Sequence, residues 1–281
     1  MSRPPASSSD DLKPVVLRPG LGAYLKETWR RREFAVAIAG GELRGQHMDS
    51  VLGNLWHVLN PLLLAGVYYL VFGVLLDISR GVANYPAFVV IGVFVFHFSQ
   101  KSIITGSGAV VSNEGLIRSI RFPRAILPLA TVVGHTIAFL PAIVVMLAIV
   151  AATGEMPAPE WLLLVPILAL QAVFNLGAAL VVARLTDLFR DVENVLPYVF
   201  RLAFYGSGVL YAPARFVDDP AVLAFFDYNP FFVFVSLARG PLLGEMAIDP
   251  LHIGVAIGWT LVLLIGGFAF FRAGEDRYGR G

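Results

Sequence analysis

The sequence contains no cysteine, and only 15% of its 281 residues are charged. The lack of cysteine excludes disulfide bonds, thiolate metal sites and cysteine nucleophiles. A soluble domain usually carries about 25% charged residues. The low charge, with 57% hydrophobic residues and a mean hydropathy of +0.73, therefore indicates a membrane protein. The net charge of +1 is too small to predict nucleic-acid binding by the whole chain.

Familiar catalytic and nucleotide-binding motifs are also missing. The sequence has no Walker A motif, no HExxH and no GxSxG. Its histidines are far apart and never at the spacing of metal ligands, at positions His47, His57, His97, His135 and His252. If the protein moves a molecule against its gradient, the energy must therefore come from an ion gradient or from a separate ATPase chain. Because every acidic residue falls in a loop or at the end of an apolar stretch, an ion-coupled carrier is the weaker interpretation.

Six stretches are long and apolar enough to cross a bilayer, which needs about 20 residues of helix. We predict an all-α integral membrane protein with spans at Leu55–Leu76, Pro86–Thr105, Leu127–Ala152, Trp161–Ala183, Val195–Ala212 and Leu251–Arg272. Prolines interrupt the apolar segment Pro213–Pro250, which is predicted to form one or two short interfacial or re-entrant helices. In the last span, Gly254 and Gly258 have the spacing of a close helix contact, and glycines that face the lipid are the alternative.

The segment before the first span has an amphipathic pattern. Its sequence LGAYLKETWRRREFAVAIAGGEL places Leu21, Leu25 and Trp29 on one helical face beside several charges. We predict a helix lying on the inner membrane surface; a solvated helix with little apolar packing is the alternative. The Pro/Ser-rich start is predicted to be disordered, and no apolar region follows it that would make a cleavable signal peptide. The prediction is therefore a disordered cytoplasmic N-terminus over residues 1–19, followed by an interface-helix region over residues 20–54. A six-span domain over residues 55–272 and a cytoplasmic tail over residues 273–281 complete the chain.

Lysine and arginine are distributed unevenly between the two sides of the predicted spans. Most of the 21 such residues lie before span one, between spans two and three, between spans four and five, or after span six. The opposite loops contain only Arg80, Arg215 and Arg239. The positive-inside rule therefore places both termini in the cytoplasm. The stretch GLIRSIRFPRAILPL is then a cytoplasmic loop, and its three arginines either set the topology or have a further role.

Four sequence landmarks occur in an order and at intervals typical of one transporter family. The first, ELRGQHMDSVLGNLWHVLNPLL, leads into span one, and the second, VSNEGLIRSIRFPRAILPL, joins spans two and three. The third is FRDVENVLPYVFRLAFYGSGVLY, around span five, and the fourth is YNPFFVFVSLARGPLLG, after it. Together, over residues 20–272, they resemble the transmembrane subunit of ABC-2 type exporters, most closely the O-antigen, teichoic acid and polysaccharide export permeases.

The resemblance implies a partner and a coupling site. Two copies of the chain would pair with two cytoplasmic P-loop ATPase subunits, which bind the ATP and magnesium, so this chain would be a transport subunit with no catalytic, cofactor or metal site. The second landmark matches the family's coupling-helix loop, here Asn113, Glu114, Leu116, Ile117, Arg118, Arg121, Phe122, Pro123 and Arg124. Its arginines recur at every third position and can face acidic groups of an ATPase. The interface-helix region would support this contact through Trp29, Arg31, Arg32, Glu42 and Arg44.

The cargo that the resemblance implies is a polyprenyl-pyrophosphate-linked polysaccharide, such as O-antigen, teichoic acid or a mycobacterial-type galactan. The chain would then be a multi-pass protein of the bacterial cytoplasmic membrane. An ABC-2 exporter of a drug or a lipid is the alternative within transport. From another class, the alternative is an integral membrane glycan-modifying enzyme.

Aromatic and polar residues in the first two spans are candidates for the route of this cargo. Because aromatic rings can stack on the C–H faces of sugars, we predict a substrate path lined by Tyr68, Tyr69, Phe72, Phe94, Phe98, His97, Gln100 and Lys101. An external gate is predicted from Tyr211, Phe216, Tyr228 and Phe231. Core packing and the aromatic belt of the membrane interface are the alternatives for the rings.

Two basic residues lie inside predicted spans, where a charge is costly unless it faces protein, water or a headgroup. Lys101 is predicted either to meet an anionic headgroup, such as a lipid-linked pyrophosphate near the cytoplasmic entrance, or to pair within the fold. A third alternative is that its side chain extends to the lipid surface. Arg201 in span five presents the same alternatives.

Overall fold

The computed structural model describes residues 20–45, 52–76, 82–244, 248–275 and 277–278. The predicted disordered segment 1–19 lies outside the described residues. Within the described ranges the chain is helical and contains no strand, which confirms the all-α fold class. The helices are α1 Leu21–Arg30, α2 Arg32–Gly45, α3 Trp56–Tyr68, α4 Tyr85–Ser107, α5 Glu114–Ser119, α6 Ile126–Ala152, α7 Leu164–Leu188, α8 Val192–Tyr205, α9 Pro220–Tyr228, α10 Pro230–Leu242 and α11 Pro250–Ala273.

Five of these helices are long and apolar enough to cross a membrane. They are α4, α6 and α11, together with α3, which continues as a π-helix over Tyr69–Leu75, and α7, which follows a 3-10 turn over Pro159–Leu163. These helices coincide with predicted spans one to four and six. The predicted fifth span, Val195–Ala212, is different. Its helix α8 has 14 residues, which is about 21 Å of helix against a hydrocarbon core of about 30 Å.

The segment after α8 forms two short helices, as predicted for Pro213–Pro250. Helices α9 and α10 are bent by 81° relative to each other, and counting the pair as one span raises the number of spans to six. The bend follows from the Asn229–Pro230 dipeptide. Proline keeps the residue before it out of the helical region, and the Asn229 side chain accepts a hydrogen bond of 3.0 Å from the backbone N–H of Phe231, which starts a new helix.

Helix α4 forms the centre of the bundle. In its most apolar stretch 78% of the residues are buried, against 17% for α3 and for α11. Its neighbours are α3, α6, α7, α8 and α10. Because these helices cover most of α4, most of the polar side chains it carries face other helices or cavities between them, whereas Lys101 is exposed.

Helices α7 and α11 approach each other closely at two glycines. A Cβ atom added to Gly177 would lie 2.6 Å from the backbone carbonyl carbon of Leu263, and one added to Gly267 would meet the backbone of Gly177. The predicted contact at Gly254 and Gly258 is wrong within this chain, because no atom lies within 4 Å of a Cβ added at either position.

Both ends of the described chain lie at the same end of the bundle. Tyr24 near the start of α1 donates a hydrogen bond of 2.9 Å to the Glu275 side chain, just after α11. The loop between α4 and α6 and the loop between α7 and α8 lie there too, since Arg190 donates a hydrogen bond of 2.7 Å to Glu114. We call this region, residues 20–32, 108–125, 184–193, 271–275 and 277–278, the basic end.

Candidate functional site

The predicted coupling loop lies at the basic end and contains a short helix. After a 3-10 turn over Val111–Asn113, α5 ends at Ser119, and Ile120 has extended backbone angles. Arg118 therefore lies within the helix, whereas Arg121 and Arg124 lie outside it. Pro123 disfavours helix for Phe122 and cannot donate a backbone hydrogen bond, so the helix could not continue through it.

Arg124 binds the C-terminal segment. Its guanidinium donates hydrogen bonds to the carbonyl oxygens of Glu275 and Tyr278, the latter at 2.6 Å. Its backbone N–H donates to the Glu275 carboxylate at 2.9 Å. Arg124 thus holds the coupling loop to the segment after α11, whereas Arg118 and Arg121 are exposed.

Tyr24 completes this junction. Its side chain is 3% exposed, and its hydroxyl also accepts a hydrogen bond of 3.2 Å from the backbone N–H of Ala125. Burial, and then the negative charge of Glu275, raises the pKa of the Tyr24 hydroxyl, so it stays protonated and can donate to that carboxylate. Helix α1, the coupling loop and the C-terminal segment are therefore joined as one unit.

The remaining predicted loop residues divide into two groups. Glu114 joins the two loops at the basic end, with Arg118 at 3.4 Å and Arg190 at 2.7 Å. Exposed ion pairs of this kind stabilise a fold only weakly. Ile117 is buried in the apolar cluster beneath the loop, and Phe122 packs edge-on against Phe34 of α2 at 5.4 Å. The Asn113 side chain donates a hydrogen bond to the backbone carbonyl of Ala109. Leu116 is half-buried, and Pro123 is buried.

The predicted interface helix is two helices separated at Arg31. Trp29 is 72% exposed and lies 5.7 Å from the Arg32 guanidinium, while Arg31 donates a hydrogen bond of 2.6 Å to Glu27. This bond lowers the pKa of the Glu27 carboxyl group. Helix α2, which contains Glu42 and Arg44, packs against α6 through small residues, namely Ala35 and Ala39 against Ile126 and Ala130.

Part of the predicted substrate path lines a cavity of about 180 Å³ between α3, α4 and α6. We call it the histidine cavity. His57, His97 and His135 come from the three helices, and the rings of His57 and His135 are 6.5 Å apart. Lys101 lies beside them, and Trp56, Asn60 and Thr105 complete the polar lining. The sequence did not indicate this cluster, because its histidines are far apart along the chain.

A second cavity of about 180 Å³ lies on the other side of His97, between α3, α4 and α8. We call it the tyrosine cavity. Tyr68 and Gln100 of the predicted path line it, together with Arg201 and Tyr205 from α8. The ring of Tyr68 stacks on that of Phe204 at 5.0 Å. Arg201, which the sequence placed inside a span, is thus beside a polar cavity.

The other predicted path residues differ in their exposure. Phe94 is fully buried in the core, because α4 is surrounded by apolar neighbours, so its predicted place in the path is corrected to core packing. Phe98 is 4% exposed and stacks on Phe139 at 4.7 Å at the edge of the histidine cavity. Tyr69 is exposed, and Phe72 is half-buried.

The predicted external gate residues lie in two places. Tyr211 contacts Phe216 edge-on at 6.0 Å, and Phe216 is exposed. Phe231 instead packs inward against Phe96 at 5.4 Å. Tyr228 is exposed, and its carbonyl accepts a hydrogen bond of 2.9 Å from the indole of Trp259.

Arg239 is a buried residue that the sequence analysis counted in an external loop. It is 2% exposed and donates hydrogen bonds to three backbone carbonyls, those of Phe88 at 3.0 Å, Gly208 at 2.9 Å and Val209 at 2.6 Å. Its guanidinium also lies against the Phe88 ring. The sequence signal that could have indicated the burial of Arg239 is its position within the apolar run from Pro230 to Leu243. Arg239 joins α10 to α4 and to the turn after α8.

Comparison with known proteins confirms the resemblance of the four landmarks. Residues 36–243 match the family model described as ABC-2 type transporter. The chain is 28% identical over 247 residues to the O-antigen export system permease protein RfbA of Klebsiella pneumoniae, covering 88% of this chain and 93% of that protein. It is 27% identical over 206 residues to the protein of the same name from Myxococcus xanthus, covering 73% of this chain and 78% of that protein. It is 24% identical over 245 residues to the polysialic acid transport protein KpsM of Escherichia coli, covering 84% of this chain and 91% of that protein. The chain belongs to the ABC-2 type transporter family.

Proposed function

We propose that this chain is the transmembrane permease subunit of an ATP-driven exporter that moves a lipid-linked polysaccharide across the bacterial cytoplasmic membrane. The observation that carries this proposal is the similarity to proteins named as O-antigen export permeases and as a polysialic acid transport protein, which extends over 88% and 84% of the chain. At least five apolar helices of spanning length agree with such a role. The cargo class includes O-antigen, teichoic acid and galactan.

The proposed complex contains two copies of this chain and two cytoplasmic P-loop ATPase subunits, which bind the ATP and magnesium. The basic end is the proposed docking surface, and under this proposal both termini lie in the cytoplasm. Exposed Arg118 and Arg121 on the coupling loop are suited to acidic groups of the ATPase. Because Arg124, Tyr24 and Glu275 join the loop to α1 and to the C-terminal segment, a push on the loop is transmitted to both ends of the chain.

The proposed route of the cargo follows the two cavities beside α4. The histidine cavity contributes His97 and Lys101, and the tyrosine cavity contributes Tyr68 and Gln100. Tyr69 and Phe72 continue along the first span, whereas Phe94 is excluded by its burial. Toward the other end of the bundle, the proposed gate uses Tyr211, Phe216 and Tyr228, with Phe231 as its packed base.

The function is tested by removing this chain from cells that contain it and a P-loop ATPase encoded beside it. We expect the lipid-linked glycan to accumulate in the cytoplasmic leaflet, measured by extracting the lipid fraction and analysing its sugars. A plasmid copy of the chain should restore export. Accumulation of a small apolar compound instead would favour the drug or lipid exporter. An altered sugar with normal export would favour the glycan-modifying enzyme.

Coupling to the ATPase is tested by reversing the two exposed charges, as Arg118→Glu with Arg121→Glu. We expect at least an order of magnitude less substrate-stimulated ATP hydrolysis by the reconstituted complex, because charge reversal at an interface rim weakens association and places like charges together. Membrane insertion should be unchanged, measured as the amount of chain in the membrane fraction. Arg215→Glu, an exposed arginine in the loop between α8 and α9, is the matched control. Wild-type coupling in the double variant would contradict the proposed docking surface.

A further inference from the structure

Helices α4 and α7 meet through polar side chains in the core of the bundle. The Gln171 amide donates hydrogen bonds to Ser99 Oγ at 2.8 Å and to the backbone carbonyl of Val95 at 2.9 Å. Farther along both helices, a Cβ atom added to Gly106 would lie 2.7 Å from the Cβ atom of Ala179. The two contacts are separated by about two helical turns on each helix, so they fix the register of α4 against α7.

Ser102 of α4 and Asn175 of α7 lie between these two contacts. Ser102 follows Ser99, and Asn175 follows Gln171, at the spacing that places two residues on the same helical face. All four side chains are at most 1% exposed. Asn175 is also near the middle of the span Pro159–Leu188, where a bilayer contains no water to bond its amide. The polar atoms at this contact must therefore find their partners inside the protein.

Four buried polar atoms at this contact have no hydrogen-bond partner among the described residues. They are Nδ2 and Oδ1 of Asn175, Oε1 of Gln171 and Oγ of Ser102. Leaving such atoms unbonded is costly, and buried polar groups are nearly always bonded to protein or to ordered water. The Gln171 amide nitrogen already donates to Ser99 and Val95, so Gln171 cannot turn toward Asn175 without losing those bonds.

We propose that the contact between α4 and α7 holds bound water that bridges the Asn175 side chain to Gln171 Oε1 and to Ser102 Oγ. Facing polar groups that do not bond each other directly are commonly joined in this way. The set requires a ligand that both donates and accepts, because Asn175 Nδ2 is a donor whereas Asn175 Oδ1 and Gln171 Oε1 are acceptors. A sodium ion would serve the oxygen atoms only. A buried water makes about three hydrogen bonds to groups that otherwise lack a partner, and this set supplies them.

The site is tested directly by an experimental structure of the full chain in lipid nanodiscs, at a resolution that shows ordered water. We expect a solvent peak within about 3.2 Å of a side-chain atom of Asn175 and of Gln171 Oε1 or Ser102 Oγ. Direct hydrogen bonds from Asn175 to Gln171 or Ser102, without a solvent peak, would overturn the proposal. Neither an ATPase nor a cargo is needed, so the result is independent of the proposed function.

A second test uses the sign of a change in stability. Asn175→Leu removes the amide and displaces the water, which leaves Gln171 Oε1 and Ser102 Oγ without partners. We expect the thermal unfolding midpoint of the purified chain in detergent to fall by about 3 °C or more. If the amide had no bound partner in the wild-type chain, an apolar side chain of similar size would leave the midpoint unchanged or raise it. Either of those results would overturn the proposal.

Two further variants separate the loss of water from a packing defect. Adding Ser102→Ala to Asn175→Leu should recover part of the midpoint, because it removes one of the groups left without a partner. No recovery would contradict a bridge to Ser102. Thr260→Val is the matched control, since the buried Thr260 hydroxyl bonds only the Ala256 carbonyl of its own helix, at 2.7 Å, and its loss should change the midpoint little.

The identity of the ligand is tested by exchanging the salt. The midpoint of the wild-type chain should be the same in sodium chloride and in choline chloride at equal ionic strength, because water is present in both. A ligand that binds only the folded state raises the midpoint with its concentration. A higher midpoint in sodium chloride that Asn175→Leu abolishes would therefore identify a cation at this contact and overturn the assignment of water.

Discussion

At the scale of single residues, Arg239 shows how a buried guanidinium can be held by backbone carbonyls and an aromatic ring. Its guanidinium is planar and carries five N–H groups, which suits carbonyls that approach from three directions. Two features make room for it. Gly92 on α4 has no side chain, and a Cβ there would collide with the guanidinium. Gly208 has a φ of 56°, which glycine adopts at little cost, and its carbonyl accepts one of the hydrogen bonds.

Replacing Arg239 by glutamine should therefore destabilise the fold. The change leaves buried carbonyls without donors, and we expect a loss of about 3 kcal/mol. Arg239→Lys should be intermediate, because one ammonium cannot reach all three carbonyls. Thermal unfolding of the purified chain in detergent measures the effect, with exposed Arg215→Gln as the control. Equal midpoints for Arg239→Gln and the control would show that these hydrogen bonds do not stabilise the fold.

The sequence predicted individual site residues unevenly. Lys101 and His97 stood out, because a polar group within an apolar span needs a partner. His57 and His135 did not, since only the packing of α3 and α6 against α4 brings them to the same cavity. Arg124 was identified by its position in the loop, but its bonds to Glu275 and Tyr278 depend on where the end of α11 lies.

At the scale of elements, local signals predicted helix starts better than helix contacts. Asp219, Asn229 and Asp249 each precede a proline, and each caps the helix that follows, so the starts of α9, α10 and α11 were present in the sequence. Pro123 predicts that the helix in the loop ends before span three, and α5 ends at Ser119. The close contact between α7 and α11 could not be predicted, because glycines are spread through the last span and only the packing decides which of them face a neighbour.

The glycine contact gives a prediction at this scale. Gly177→Ala places a Cβ 2.6 Å from the backbone of α11, so the helices must separate. We expect a loss of about 1–3 kcal/mol, typical of overpacking. Gly254→Ala, on the same pair of helices, meets no atom within 4 Å and should be neutral or slightly stabilising, because alanine favours helix. Thermal unfolding in detergent compares the two. An equal effect of both changes would contradict the close contact.

At the scale of the whole molecule, the chain returns to the end where it started. Tyr24 of α1 and Glu275 after α11 share a hydrogen bond, and the coupling loop joins both. Because both of these residues lie at one end of the bundle, the chain between them would cross a membrane an even number of times. The uneven lysine and arginine distribution predicted the same arrangement from sequence. After α7 the chain forms the short α8 and the bent pair α9 and α10 rather than one straight helix, which hydropathy alone could not reveal.

The absence of cysteine makes the orientation directly testable, because any introduced thiol is unique. Ser119→Cys places a thiol at the exposed end of α5 at the basic end, and Met156→Cys places one in the loop after α6, where Met156 is 86% exposed. In intact cells, a membrane-impermeant maleimide should label Met156→Cys, whereas Ser119→Cys should react only after permeabilisation. The unaltered chain should never react. Labelling of Ser119→Cys in intact cells would place the basic end outside the cytoplasm. That result would contradict the proposed docking of an ATPase at the basic end.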